Sequence, residues 1–508
     1  MATSLAASLD MSLDTSLTTA PAVVPAHPPV HRRLTAPALA ALVAGWQSDG
    51  PAYVALADAV RGAVLSGTVA PHTRLPSERD LAGALGVSRT TTAAAYAALR
   101  ERGFVTSRTG VGTVAVLPRP TRRAQPRWCG GDAPVPVGVE PPEDLVDLGQ
   151  AAPAAPPQLH AAYGRALEAL PGYLSGRGYE PLGLEPLREA VAQRLTERGT
   201  PTTPDQVLVT TGAQHAISTL AQSYLGPRDR VVVQSPTYAH GIETMVARRA
   251  RVVGFPVGAG LPGDGPGFDV ALFESTVRAA TPRLVYLIPD FHNPTGYSLT
   301  PDERAAVRRV ALRHRVTVVG DETLTDIALD GPAPEPLAGD GSATSHVLTV
   351  GSASKTFWGG LRVGWVRAHP DVVAHLARVR GASDIATSVL EQLAVVELFS
   401  RREEVLAGRL PLLRSQRDLL RSAITAAIPS WHVTAPAGGL SLWVDLGRPL
   451  AHALAAAAAV RGLVINPGPS LTPDGAATSR VRLTFAPDAE AIGRAVPRLM
   501  AAWEHVAG

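Results

Sequence analysis

Between residues 53 and 64 apolar side chains return every three or four positions, at Tyr53, Leu56, Ala57, Val60 and Val64, which predicts an amphipathic helix ending near Gly67. A shorter apolar stretch from Leu34 to Trp46 predicts a small helix ahead of it. Ser77 precedes a brief helical pattern, with Asp80 placed to answer it as a capping box. Gly86-Val87-Ser88 then makes a tight turn whose serine caps a helix from Arg89 to Arg102, with Thr92, Ala95, Tyr96 and Leu99 on its inner face. Beyond Gly103, Phe104 to Arg108 and Val114 to Val116 flank Thr109-Gly110-Val111-Gly112, a hairpin with a glycine tip. Further along, apolar runs at 207–211, 230–234, 251–256, 284–289, 316–320 and 347–351 alternate with helical patterns, which predicts an open α/β sheet.

Two stretches lack either period. Residues 1 to about 33, rich in Ala, Ser, Thr and Pro, predict a disordered leader. Residues 117 to about 160 are rich in Pro, Ala and Gly around a short apolar Leu145-Val146-Asp147-Leu148, and predict a semi-stiff tether. The chain therefore divides into a leader with a short helix (1–45), a small helical domain ending in a hairpin (46–118), a basic Pro-rich linker (119–160) and a large α/β domain (161–508).

Composition narrows the function classes. With 508 residues and 45% hydrophobic content the chain can bury a large core and hold two domains. It has no apolar run of membrane-spanning length and no signal-peptide pattern in its first thirty residues, so a soluble, cytoplasmic protein is expected. Cys129 stands alone, which excludes an internal disulfide and a cysteine-based zinc site, and no metal is expected. A net charge of +3 is too small for a global nucleic-acid footprint, so any such footprint is local. Arg74 to Arg108 holds six arginines against Glu78, Asp80 and Glu101, and Arg119, Arg122, Arg123 and Arg127 follow without an acid between them. Two short helices joined by a Gly-containing turn, then a hairpin wing, form a helix-turn-helix whose second helix suits the major groove. Hydroxyls and amides at its start can fix phosphates, and Arg89 can reach a guanine edge. A small helical domain used for protein contacts is the other reading.

The candidate chemistry centres on Lys355, the only lysine in a chain with 47 lysines and arginines together. A primary amine condensing with an aldehyde is the task a guanidinium cannot perform. Lys355 lies in Gly351-Ser352-Ala353-Ser354-Lys355, after an apolar strand, and Arg362 follows seven residues on to meet an anion. An amine and an anion clamp on one turn point to pyridoxal 5'-phosphate, which attaches to its proteins as a lysine Schiff base. Other polar groups gather where strands end, the place where ligands collect in open α/β sheets. Thr211-Gly212-Ala213-Gln214 opens a helix whose amides can bind phosphate, or is a structural turn. Tyr238 can stack on a flat ring or pack in the core, and Asn293 can donate to a phenolate or form an Asn-Pro turn. Asp321 can pair with a protonated pyridine nitrogen or cap a helix.

Nearly every position from Tyr53 to Thr113 resembles the winged helix-turn-helix of GntR-type regulators, through Leu75-Pro76-Ser77-Glu78-Arg79-Asp80-Leu81-Ala82 and Gly86-Val87-Ser88-Arg89-Thr90-Thr91. The resemblance implies contacts with double-stranded DNA by Arg79, Ser88, Arg89, Thr90, Thr91 and the wing residues Arg108, Thr109 and Gly110. The series Tyr179-Glu180-Pro181-Leu182-Gly183, Gly212-Ala213-Gln214, Tyr238, Asn293-Pro294-Thr295-Gly296, Asp321, Ser352-x-x-Lys355 and Arg362 is similar to the class I aminotransferases of fold type I. That likeness implies Lys355 as the Schiff-base lysine, Asp321 at the ring nitrogen, Asn293 at the ring hydroxyl and Tyr238 stacked on the ring. It further implies that Gly212, Ala213, Gln214, Ser352 and Arg362 hold the phosphate, that Tyr179 arrives from a second subunit, and that Arg482 takes a substrate or effector carboxylate.

One position departs from the pattern: the family places a tyrosine two or three residues beyond the ring-nitrogen aspartate, where this chain has Thr323 and Leu324. The two halves together resemble MocR-type regulators. The implied role is a homodimeric transcription factor that senses pyridoxal 5'-phosphate, alone or with an amine. A working aminotransferase with a DNA-binding appendage, and a reader on an inert dimer scaffold, are the alternatives.

Overall fold

The computed structural model describes residues 32–47, 50–108, 112–118, 144–265, 267–341 and 346–508. The expected leader lies outside these residues except for Arg32–Arg33, which pair in parallel with Thr73–Arg74. Cys129, the linker arginines and the wing-tip residues Thr109 and Gly110 also lie outside them.

The head follows from its caps. Thr35 accepts from the Ala38 N–H to start the helix Ala36–Leu42, and the helix Ala52–Leu65 buries Leu56, Ala57, Val60 and Val64. Tyr53, expected on that face, is 42% exposed at the first turn. Ser77 Oγ accepts from the Asp80 N–H at 3.2 Å and donates to Asp80 Oδ2 at 2.7 Å, so the reciprocal bond of the expected capping box is made hydroxyl to carboxylate. The helix Glu78–Leu85 stops at Gly86, whose φ of 68° is left-handed and open to glycine at little cost. Ser88 then caps Arg89–Glu101 by accepting from the Thr91 N–H at 3.0 Å. Buried between the two helices, the Thr92 hydroxyl donates to Glu78 O and the Tyr96 hydroxyl to Pro76 O, each at 2.9 Å. These bonds fix the angle of the second helix against the first. Val105–Arg108 and Gly112–Ala115 pair antiparallel, with Arg108 opposite Gly112, as the expected wing.

In the large body seven strands lie in the order Val207–Thr210, Gly364–Arg367, Val347–Ser352, Thr317–Asp321, Leu284–Leu287, Arg230–Ser235, Arg251–Pro256. All neighbours are parallel except Gly364–Arg367, which runs against both of its partners. Six of the seven are the expected strands, to within two or three residues at their ends. Gly364–Arg367 was not expected: Gly, Trp and Arg interrupt its apolar run, and its place depends on Gly364, where a Cβ would meet the Gly212 carbonyl carbon at 2.6 Å. Helices cover the sheet, and fully buried runs such as Val347–Ser352 account for its stability at about 1.5–3 kcal/mol per large side chain.

A second, smaller sheet, His432–Val433, Ser441–Asp445, Arg480–Thr484 and Asn466–Pro467 in spatial order, packs with the helices Arg402–Ala427, Ala451–Val460 and Ala489–Ala507. The expected tether is corrected at its end. Val146–Asp147 pair in parallel with Leu463–Val464, Val146 and Leu148 join the core of this smaller unit, and the helix Leu159–Ala169 begins before residue 160. Pro157, in the same stretch, lies against Gly67 of the head, where an added Cβ would come within 2.0 Å of it. Among the described residues no helix is long and apolar enough to cross a membrane, and no group of three or more metal-ligating side chains occurs.

Candidate ligand site and DNA-reading helix

The carboxyl ends of the parallel strands bring most of the expected residues to one place. Strand Val347–Ser352 ends in Ser352, which caps the one-turn helix Ala353–Thr356 by accepting from the Ser354 N–H at 3.1 Å. Lys355 sits on that turn, and its Nζ donates to Ala151 O at 2.7 Å. Burial first, then the positive charges of Arg482 and Arg362 against the opposing Asp321, lower its pKa from the ordinary 10.5 to about 8. About one molecule in ten then carries a neutral, nucleophilic amine at pH 7.

Asp321 ends the adjacent strand and is buried, with its pKa raised chiefly by desolvation. The Tyr286 hydroxyl donates to its Oδ2 at 2.7 Å and the Thr323 N–H to its Oδ1 at 3.2 Å. Asn293 accepts from Arg482 Nη1 at 2.9 Å through Oδ1, which leaves the NH2 end of its amide as the free, donating end. Arg482, on strand Arg480–Thr484, is buried, its pKa lowered to about 10 by desolvation. Its Nη2 also donates to Gly149 O, and its Nε has no partner. The Tyr238 phenol is raised to about 12, by burial and then by the Asp321 charge.

A candidate anion cradle lies close enough for its Arg362 charge to act on Lys355. Gly212 has φ +82°, and a Cβ there would meet Arg362 Nη2 at 2.5 Å, so only glycine lets the guanidinium lie so close to the turn. The Gly212 N–H donates to Thr210 O at 2.9 Å, while Ala213 and Gln214 open the helix Ala213–Tyr224 with first-turn amides that have no acceptor within it. Arg362 Nη2 donates to Thr211 O at 3.1 Å. The Gln214 side chain bonds Thr244 Oγ1 at 2.8 Å and leaves its Oε1 buried without a partner. Tyr179 is not brought to the site: it stands 62% exposed on the surface.

These residues fit pyridoxal 5'-phosphate. A lysine with a depressed pKa, a buried carboxylate without an ion pair among the described residues, a free amide donor and a glycine-arginine cradle are the partners that its aldehyde, ring nitrogen, ring hydroxyl and phosphate require.

Reading the sequence missed three contributors. Tyr286 carried a faint signal, a hydroxyl inside the buried run Leu284–Leu287 that has to find a partner. Gly149 and Ala151 carried none, because both act through main-chain carbonyls that any residue supplies. Gly149 O also accepts from Asn466 Nδ2 at 3.0 Å, and Ala154 O from Arg409 Nη2 at 2.7 Å.

In the head, Arg79, Ser88, Arg89 and Thr90 are exposed around the start of the helix Arg89–Glu101, and Thr91 is half-buried with its hydroxyl 2.8 Å from Ser88 Oγ. Arg100 Nη2 donates to Ser107 Oγ at 3.0 Å and ties that helix to the wing strand.

Comparison with known proteins agrees with both halves. Residues 174–499 match the family described as aminotransferase class I and II, and residues 52–114 match the bacterial regulatory proteins of the gntR family. The uncharacterized HTH-type transcriptional regulator YisV of Bacillus subtilis (strain 168) is 28% identical over 472 residues, spanning 87% of this chain and 94% of its own. A 2-aminoadipate transaminase of Thermus thermophilus is 30% identical over 334 residues, 63% of this chain and 80% of its own. Among solved structures, LysN, an alpha-aminoadipate aminotransferase from Thermus thermophilus complexed with N-(5'-phosphopyridoxyl)-L-leucine, superposes with a TM-score of 0.66 at 26% identity, over 72% of this chain and 93% of that one.

Proposed function

Because the chain belongs to the aminotransferase class I and II family and carries a gntR-family head, the MocR-type arrangement, we propose that it is a DNA-binding transcriptional regulator responding to pyridoxal 5'-phosphate, alone or with an amine, through Lys355. When bound, the cofactor supplies an aldehyde that condenses with primary amines and a ring that withdraws electrons. Lys355 offers the neutral amine, Asp321 holds the ring-nitrogen proton, Asn293 donates to the ring hydroxyl and Tyr238 covers the ring face. Gly212, Ala213, Gln214, Ser352 and Arg362 hold the phosphate, and Arg482 takes the carboxylate of an amine effector. A second copy completes the site with its own Tyr179, and the homodimer presents two heads to a repeated operator in the cytoplasm. Arg79, Ser88, Arg89, Thr90, Thr91 and the wing residues Arg108, Thr109 and Gly110 make the DNA contacts.

One observation carries this reading: the two cations that seek a ligand, Lys355 and Arg482, are both hydrogen-bonded to the short segment Gly149 to Ala151. That segment opens the large body, just after the stretch of sequence that joins it to the head. A ligand that engages both cations withdraws two donors from the segment and so favours a different placement of what it tethers. It shifts that equilibrium only by its difference in affinity for the two placements. The same residues would serve a working aminotransferase, recognised by steady exchange between the cofactor's aldehyde and amine forms with an amino acid and a 2-oxo acid. Titrating pyridoxal 5'-phosphate into the apo-protein while following binding to its own upstream DNA tests the regulatory reading. DNA affinity should change over the range in which the cofactor binds, and should not respond in Lys355→Ala. Cofactor binding with no change in DNA affinity would refute it.

A further inference from the structure

We propose that Tyr286 is a positioning residue for the cofactor, its hydroxyl holding the Asp321 carboxylate in the ionised form that keeps a proton on the pyridine nitrogen. This rests on the assignment of pyridoxal 5'-phosphate to the site and goes beyond it, since the family pattern looks for its tyrosine after the aspartate, where Thr323 and Leu324 stand here.

The geometry is specific. Tyr286 lies in the middle of the fully buried strand Leu284–Leu287, and the register sets it opposite Val319, two residues before Asp321 on the neighbouring strand. Its hydroxyl donates to Asp321 Oδ2 at 2.7 Å. Gly241 makes room for the ring: a Cβ there would press on Tyr286 Cε1 at 3.3 Å. Thr323 N–H holds the other carboxylate oxygen, so the carboxylate is gripped from both sides by neutral donors. Among the described residues Asp321 makes no ion pair, and a buried carboxylate without donors takes up a proton rather than remain charged. A protonated Asp321 could not retain the proton of the ring nitrogen, and the ring would lose its capacity to withdraw electrons. Tyr286 makes the largest hydrogen-bonding contribution against that outcome, ahead of the hydroxyl and N–H of Thr323.

The substitution Tyr286→Phe removes one oxygen and keeps the ring that packs between the strands. The full-length protein and this variant would be loaded with pyridoxal 5'-phosphate labelled with 15N in the ring, and the nitrogen shift would be read near neutral pH alongside cofactor affinity. In the native chain the nitrogen should be protonated. In Tyr286→Phe the unprotonated form should gain about tenfold or more, the usual worth of a hydrogen bond to a charged group. In an Asp321→Asn background, the further change Tyr286→Phe should leave the nitrogen unmoved. An unchanged nitrogen shift in Tyr286→Phe, or an equal effect with and without the Asp321 carboxylate, would overturn the role given to Tyr286 while leaving the cofactor assignment intact. A native chain that binds no cofactor would overturn both.

Discussion

If Lys355 owes its reactivity to burial and to the charge of Arg482, then Arg482→Gln should slow capture of pyridoxal 5'-phosphate at neutral pH even though the partner proposed for Arg482 is a carboxylate and not the aldehyde. A lysine amine attacks only when neutral. With a pKa near 8 about a tenth of the molecules are competent at pH 7, against about three in ten thousand for an unperturbed lysine at 10.5. That several-hundredfold difference is in the population of the reactive form. After desolvation, Arg482 is the largest contributor to it, ahead of Arg362, while Asp321 opposes both.

The sign follows directly. Removing a neighbouring positive charge favours the ammonium form, so the pKa of Lys355 rises; a shift of roughly one unit lowers the neutral fraction at pH 7 about tenfold. Rates of cofactor capture, followed by absorbance on mixing and by borohydride trapping of the 351–362 peptide, should climb with pH and level off above about pH 8 in the native chain. In Arg482→Gln the curve should move to higher pH and reach a similar plateau, and in Arg482→Lys, which keeps the charge, it should stay near the native position. A curve that moves to lower pH in Arg482→Gln, or shifts equally in both variants, would show that Arg482 acts through packing or through its bond to Gly149 and not through its field.

Three further outcomes are expected. Arg89→Ala should weaken operator binding by about 1–3 kcal/mol while leaving random DNA less affected; equal losses on both would make Arg89 a phosphate contact. Ser88→Ala removes the bond that caps the reading helix and should cost the head about 1 kcal/mol, seen as a lower melting temperature and weaker binding to all DNA. Thr323→Tyr, which replaces the short Thr323 hydroxyl by a longer-reaching phenol, should raise the rate at which an added amino acid converts the bound cofactor to its amine form; an unchanged rate would mean that the departure from the family pattern has no chemical consequence.

What the chain discloses in order and what it conceals differ by the range of the interaction. Ser77 and Ser88 announced their helices because a cap is completed within three residues, and Asp321 and Lys355 announced themselves because a charge or a sole lysine beside an apolar strand is anomalous within a short window. The stretch 144–158 read as a tether because its apolar partners, Leu463 and Val464, lie some three hundred residues away and pair with it through the main chain. The same holds for Gly364–Arg367, whose strand exists because Gly364 and Gly212 let two backbones meet, a condition visible at neither glycine alone. The consequence reaches function. The ligand-seeking groups of this site are side chains and could be named from the sequence, whereas the groups that hold those side chains are the carbonyls of Gly149 and Ala151. Under the proposed function a ligand is therefore selected in competition with the chain's own carbonyls, in a segment that opens the large body.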